Sequence, residues 1–312
     1  MPRASVIVPT YNQPEYLRLV LAGLERQTEK DFEVIVSDDG SRPETGEMVA
    51  ALQQTRLPYR LKYHWQEDTA YRLGEARNAG VRLAEGDWLI FIDGDMVVHR
   101  RFVAAHLRYA REGRLLLGAR VKLTQEFSRS LTVADILGEG ITRRYYREYG
   151  TCREPEYAPV NEKLTDPLSG AFIQRAGGTF VPVPRFVADA VARAVPRRLY
   201  MELVFKSGSN FSTSKRLVER VNGFDRRFDG LSGEDGEFFR RAYNAGAQPV
   251  SVQLTAIGYH LWHNEQWQRV GEQRDRSLQI FRETRDQKRT RAVHGLVDER
   301  PKPAGSRERS TR

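Results

Sequence analysis

Short apolar runs alternate with amphipathic helical stretches over the first hundred residues, and this alternation restricts the fold more than any other feature of the chain. Ser5 to Pro9, Phe32 to Ser37, Arg60 to Trp65 and Trp88 to Ile92 are too short for helices and rich in β-formers, which predicts four strands. Between them lie three helical patterns. Pro14 opens the first, with Leu17, Val20, Leu21 and Leu24 on one face and Asn12 as its expected cap. Glu44 to Gln53 and Leu73 to Ala84 form the other two. Strand–helix alternation of this kind builds a parallel sheet covered by helices. The expected class is therefore α/β, a Rossmann-like, mostly parallel central sheet flanked by helices. No Gly-x-Gly-x-x-Gly follows the first strand and no P-loop is present, so the usual dinucleotide and P-loop nucleotide sites are not expected.

The fourth strand ends in Asp93-Gly94-Asp95. Ligands of open α/β sheets gather at the carboxyl edge of the strands. Two adjacent carboxylates repel each other unless a cation lies between them, and hard oxygen donors with a glycine for clearance suit Mg²⁺ or Mn²⁺ carrying a diphosphate. The same residues also suit an ordinary Asp-Gly turn. Asp39, in Asp38-Asp39-Gly40 after the second strand, reaches the same edge and is able to accept hydrogen bonds from a base, with a turn again the alternative. Glu234 and Asp235 open a helix, where acids either complement the helix dipole or serve as a general base. His260 and His263 offer an imidazole as a further Mn²⁺ ligand, against the alternative of packed or surface residues. Arg72 and Arg77, at the start of the third helix, suit a pyrophosphate or simply the surface.

Farther along, Arg101 to Glu112 is expected to be helical, with an apolar run from Leu115 to Val121 after it. Residues from about 124 to 200 mix helix patterns (Leu131 to Leu137, Phe186 to Val195) with turns and are read as an insertion or lid. A compact pattern returns over about 201–265, and a last amphipathic helix covers about 266–284. The whole of 1–284 is read as one domain, with a nucleotide-binding half over about 1–123 and an acceptor half over about 201–265. With 312 residues, 40% of them hydrophobic, the chain has ample core for this. No stretch has the apolar length of a membrane span and no signal-peptide pattern opens the chain. Cys152 is the single cysteine, which excludes an intrachain disulfide and makes a reducing, cytoplasmic setting the default. The net charge of +9 raises nucleic acid or an anionic membrane as partners. Nine Lys/Arg against four Asp/Glu fall between Arg285 and Arg312, so 285–312 is expected to be a basic tail, disordered from about residue 292. Weak peripheral membrane contact through that tail is one expectation; specific nucleic-acid binding is not expected, because the rest of the chain is more balanced.

The order of these motifs resembles the family 2 glycosyltransferases of the GT-A fold. The resemblance is carried by Val8-Pro9-Thr10-Tyr11-Asn12, Val36-Ser37-Asp38-Asp39-Gly40-Ser41, Ala76-Arg77-Asn78-Ala79-Gly80 and Ile92-Asp93-Gly94-Asp95. The second half is similar to bacterial chondroitin polymerase-type and β1,4-galactosyltransferase domains through Gly208-Ser209-Asn210-Phe211-Ser212, Asn222-Gly223-Phe224-Asp225, Gly233-Glu234-Asp235 and the histidine segment. Leu231-Ser232 departs from the tryptophan-containing turn that often precedes Gly-Glu-Asp in those relatives. The resemblance implies that Pro9, Tyr11 and Asp39 line the nucleoside pocket, with Asp39 on the uracil, and that Arg72, Arg77, Gly208 and Asn210 also serve the nucleotide-sugar. It implies Asp93 at the ribose or on the metal side, Asp95 as a ligand of Mn²⁺ or Mg²⁺, and His260 as a further ligand with His263 as its alternate. Asp235 is implied as catalytic base, with Glu234 positioning the acceptor. The implied reaction is an inverting in-line transfer from a UDP-sugar to a carbohydrate, lipid-linked or small-molecule acceptor hydroxyl, in cell-surface polysaccharide or glycoconjugate synthesis. Small-molecule or peptide glycosylation is the alternative within this class. A nucleotidyltransferase is disfavoured because no glycine- and basic-rich loop follows the first strand. A non-catalytic binding protein driven by charge is the alternative of another class.

Overall fold

The computed structural model describes residues 1–141, 144, 208–230, 233–252, 255–264 and 272–298. Seven strands form the main sheet: β1 (Ala4–Thr10), β2 (Phe32–Asp38), β3 (Arg60–Trp65), β4 (Trp88–Ile92), β6 (Arg114–Leu117), β8 (Asn210–Ser214) and β9 (Gln248–Ser251), in the order β3-β2-β1-β4-β8-β6-β9. All neighbours are parallel except β8, which runs antiparallel to both β4 and β6. The expected α/β class with a mostly parallel sheet is thus the class observed. A second sheet holds β5 (Met96–Val98), β10 (Ile257–His260) and β7 (Ala119–Lys122), with β10 in the middle.

The central strands β1, β2, β4 and β8 are buried on both faces, as strands covered by helices must be, while the edge strands β3 and β9 are partly exposed. Their alternation sorts side chains into two layers. Val6, Val8, Val34, Val36, Ile90 and Ile92 pack with α1 (Pro14–Glu25) on one side. Ile7, Ile35, Leu89 and Phe91 pack on the other with Val81 of α3 (Leu73–Leu83). That second layer continues into an aromatic stack. Phe91 lies 4.6 Å from Phe211, and Phe224 lies 4.6 Å from Phe238, ring centre to ring centre. Burial of each such ring contributes about 2–3 kcal/mol. The stack seats α8 (Glu234–Asn244) against the sheet, with Phe238 and Phe239 turned inward.

The remaining helices are α2 (Pro43–Gln53), α4 (Phe102–Tyr109), α5 (Gln125–Ser130), α6 (Val133–Gly138), α7 (Lys215–Arg220) and α9 (Glu272–Asp286). Among the described residues no helix is long and apolar enough to cross a membrane. The helix expected over Leu131–Leu137 is α6, which starts at Val133 because Thr132 forms a reciprocal capping box with Asp135. The run Leu115–Val121 is likewise two strands, β6 and β7, in different sheets. Asn12 does not cap α1: Gln13 occupies that position, while Asn12 takes a φ of 50° and accepts from the Arg42 backbone N–H. The expected helix over Phe186–Val195 and Cys152 lie outside the described residues.

The disordered tail expected from about residue 292 is corrected up to Asp298. Residues 287–298 turn back across the body, with Ala292 fully buried. The Asn222 amide donates to the carbonyls of Ala292 and Val297 and accepts from the Val297 N–H. Arg226 pairs with Asp298. One buried asparagine satisfying three backbone groups holds a segment whose composition alone reads as solvated.

Candidate active site

Strand register brings the candidate residues together. The carboxyl ends of β1, β2 and β4 lie along one edge of the main sheet, as expected for a ligand site. Because β8 is antiparallel, its first residue Asn210 pairs with Ile92, which brings Gly208 to the same edge. The chain leaves β4 through Asp93-Gly94-Asp95 and enters β5 directly. Gly94 is required here, since a Cβ would stand 2.6 Å from the Pro9 carbonyl oxygen of β1. His260 pairs with Met96 across the small sheet, and the Leu261 N–H donates to the Asp95 carbonyl at 2.9 Å.

That register sets Asp95 Oδ2 3.3 Å from His260 Nε2 and 3.0 Å from His263 Nε2. One donor atom from each of the three lies within 4.8 Å of the others. Burial works to raise the Asp95 carboxyl, but the two imidazoles outweigh it and hold the group well below the usual carboxylate range. Its other oxygen, Oδ1, is buried without a hydrogen-bond partner among the described residues. A carboxylate and two imidazoles match the donor preference of Mn²⁺, and an orphaned buried oxygen beside them is what a cation would satisfy. The residues present therefore fit a divalent ion. His260 and His263, read as alternates from the sequence, both face Asp95.

Asp93, expected at the ribose or on the metal side, turns one carboxylate oxygen to Arg77. The Arg77 guanidinium is 2% exposed and bridges Asp93 at 3.0 Å and Glu234 at 2.7 Å, with the Gly208 carbonyl 3.4 Å away. The Phe224 ring lies beneath it at 5.4 Å. A cation so placed offsets the burial of two carboxylates. Glu234 is 3% exposed and faces Arg77 and the Gly233 N–H. Burial and the adjacent Asp235 push its carboxyl up to about 7 against the pull of Arg77.

Asp235 is half-buried in the first turn of α8. Its Oδ2 accepts from the Gly208 N–H at 2.6 Å, and its Oδ1 from the Gly236 N–H at 2.7 Å. Gly208 makes this approach possible, since a Cβ there would stand 2.4 Å from the Asp235 Cβ. Gly208 thus joins Asp235 to Arg77. Asn210 is 1% exposed, and its amide bonds to the carbonyls of Ala119 and Ala256 and to His106 Nε2. Burial drives His106 down to about 3, so this core network is neutral at ordinary pH.

At the end of β2, Asp38 is structural, bonded to the Ser41 N–H and the Tyr63 hydroxyl. Asp39 accepts from the Gln66 amide at 2.5 Å and from the Arg72 backbone N–H at 2.6 Å, and burial pushes its carboxyl upward. Tyr11 is 46% exposed and donates to Asp68 at 3.0 Å, while Pro9 is buried beside Gly94. Gln66 and Asp68 were not expected at this site. Their segment between β3 and α3 has no periodic signal, and only the pairing of β3 with β2 carries it across Asp39.

Residues 5–156 match the family model described as glycosyl transferase family 2. Over 273 residues the chain is 43% identical to a validoxylamine A glucosyltransferase of Streptomyces hygroscopicus subsp. jinggangensis, covering 84% of this chain and 56% of that protein. It is 27% identical to a chondroitin synthase of Escherichia coli, covering 82% of this chain and 34% of the relative. The chain thus spans about half or less of the length of these curated relatives. Among solved structures, S. aureus TarS 1-349 in complex with UDP-GlcNAc superposes with a TM-score of 0.52 at 21% identity, over 88% of this chain and 61% of the other. That likeness establishes a shared fold.

Proposed function

We propose that the chain, whose residues 5–156 match the glycosyl transferase family 2 model, is a glycosyltransferase of that family that transfers a sugar from a UDP-sugar to an acceptor hydroxyl with inversion, dependent on Mn²⁺ or Mg²⁺. The observation that carries this reading is the meeting of Asp95, His260 and His263 at the carboxyl edge of the family's sheet. These three residues would hold the metal, which supplies charge stabilisation to the departing diphosphate. Asp39 lines the nucleoside pocket with Pro9 and Tyr11. A carboxylate offers about four lone-pair directions, so Asp39 keeps capacity for a uracil N–H beyond its two present donors. Asp235 takes the proton from the acceptor hydroxyl as it attacks the anomeric carbon. Arg77, through Asp93, Glu234 and the Gly208 carbonyl, ties the nucleotide side of the site to the base side.

Two acceptor classes stand out. The relative named for glucosylating validoxylamine A, at 43% identity, favours a small-molecule acceptor and a glucosyl donor. The chondroitin synthase, at 27%, favours a growing polysaccharide. On this reading UDP with Mn²⁺ stabilises the protein: at a hundredfold excess over its Kd, a ligand adds about 2.7 kcal/mol. A melting temperature raised by several degrees with UDP and Mn²⁺, and less by GDP or ADP, is the expected result. Equal melting with and without UDP speaks against a uridine site.

A further inference from the structure

His263 belongs to no strand. β10 ends at His260, and residues 261–264 continue as irregular chain. A ligand on such a segment presents its imidazole reliably only where the backbone is tied down. Here both polar groups of one peptide unit region are held. The Trp262 N–H donates to Ser128 Oγ at 2.8 Å, and the Trp262 carbonyl accepts from the Tyr16 hydroxyl at 2.5 Å. Ser128 is buried on α5, and Tyr16 sits in the first turn of α1. The Arg129 guanidinium lies 5.6 Å from the Trp262 ring centre. On the other side the Leu261 N–H is already bonded to the Asp95 carbonyl. The segment between the two histidines is therefore gripped from three directions, by α1, α5 and the acid-bearing turn itself.

We propose that Tyr16 and Ser128 are positioning residues of the metal site, holding Trp262 so that His260 and His263 both present Nε2 to Asp95. The proposal rests on the metal reading given above. Both hydroxyls bond the Trp262 backbone, and the Asp95 charge also reaches the Tyr16 hydroxyl. Loss of groups that orient metal ligands commonly weakens metal affinity 10–100-fold. The two hydroxyls differ from general packing groups in one testable respect: their effect passes through His263.

The experiment is a Mn²⁺ titration of the free protein followed by electron paramagnetic resonance. It compares wild type, Tyr16→Phe, Ser128→Ala and the double variant, each also in a His263→Ala background. The double variant is expected to bind Mn²⁺ about tenfold or more weakly than wild type. Ser128→Thr, which keeps the hydroxyl, is expected to bind within about threefold of wild type. In the His263→Ala background the further loss is expected to shrink to about twofold, because the ligand being positioned is gone. Melting in chelator within a few degrees of wild type identifies a folded variant. Wild-type Mn²⁺ affinity in the double variant overturns the positioning role and leaves the metal reading standing. An undiminished loss in the His263→Ala background also overturns it, as the mark of general packing. Failure of the wild-type protein to bind Mn²⁺ removes the metal reading, and the positioning role with it.

Discussion

Asp235→Asn is expected to lower sugar transfer by about 10²–10⁴-fold while leaving UDP affinity within about twofold of wild type. The magnitude is that of a general base, and the selectivity follows from the geometry. Asp235 and Glu234 are adjacent acids with opposite environments. Glu234 is buried against Arg77, and its carboxyl is pushed up to about 7. Asp235 is half-buried and held by two backbone N–H donors, from Gly208 and Gly236. These donors fix its direction without neutralising it, and the amide of asparagine keeps one acceptor for them. UDP is assigned to residues on other elements, so its binding survives the change. The check is kcat measured beside UDP binding by calorimetry. Transfer at the wild-type rate removes Asp235 as the base.

The second large effect is expected at Asp95. Asp95→Asn takes the anionic donor from a cluster otherwise made of two neutral or cationic imidazoles. Mn²⁺ affinity and transfer are both expected to fall on the order of 10²-fold or more, without recovery at higher Mn²⁺. Because His260 and His263 lie at similar distances from Asp95 Oδ2, each single alanine variant is expected to weaken Mn²⁺ binding. Metal titrations on the purified variants test this directly. A histidine whose removal leaves affinity unchanged is not a ligand, and an Asp95→Asn protein that binds Mn²⁺ normally has its metal elsewhere.

Much of this was legible in the sequence, and the reason is local. β1, β2 and β4 are continuous apolar runs ending in acids or at Thr10, and their period and length alone identify strands buried on both faces. Asp39, Asp95 and Asp235 each stand at an element boundary, where a pattern change marks them. What local pattern could not show was set by long-range register. Only the resemblance brought His260 to Asp95, because the two meet through the pairing of β10 with β5, strands of three or four residues far apart in the chain. Arg77 reads as a surface charge, yet Gly74, Ala76, Asn78, Ala79 and Gly80 around it are small or buried. That run of small residues is the signal that its helix is pressed against other backbone. The burial of Asn210 was not legible, because a motif position does not show which way a strand residue faces. The segment after α9 reads as a solvated tail from its charge, but Ala292 and the three groups that Asn222 satisfies hold it to the body.

The most direct test of metal-dependent transfer is UDP release from a panel of UDP-sugars, beginning with UDP-glucose. It is run with Mn²⁺, after chelation, and after Mn²⁺ is restored, each with small polyol and oligosaccharide acceptors. The expected result is UDP release from at least one donor that needs Mn²⁺, stops on chelation, returns with the metal and rises with a suitable acceptor. UDP release at the same rate in chelator, or no release from any UDP-sugar by a folded protein that also fails to bind UDP, contradicts it.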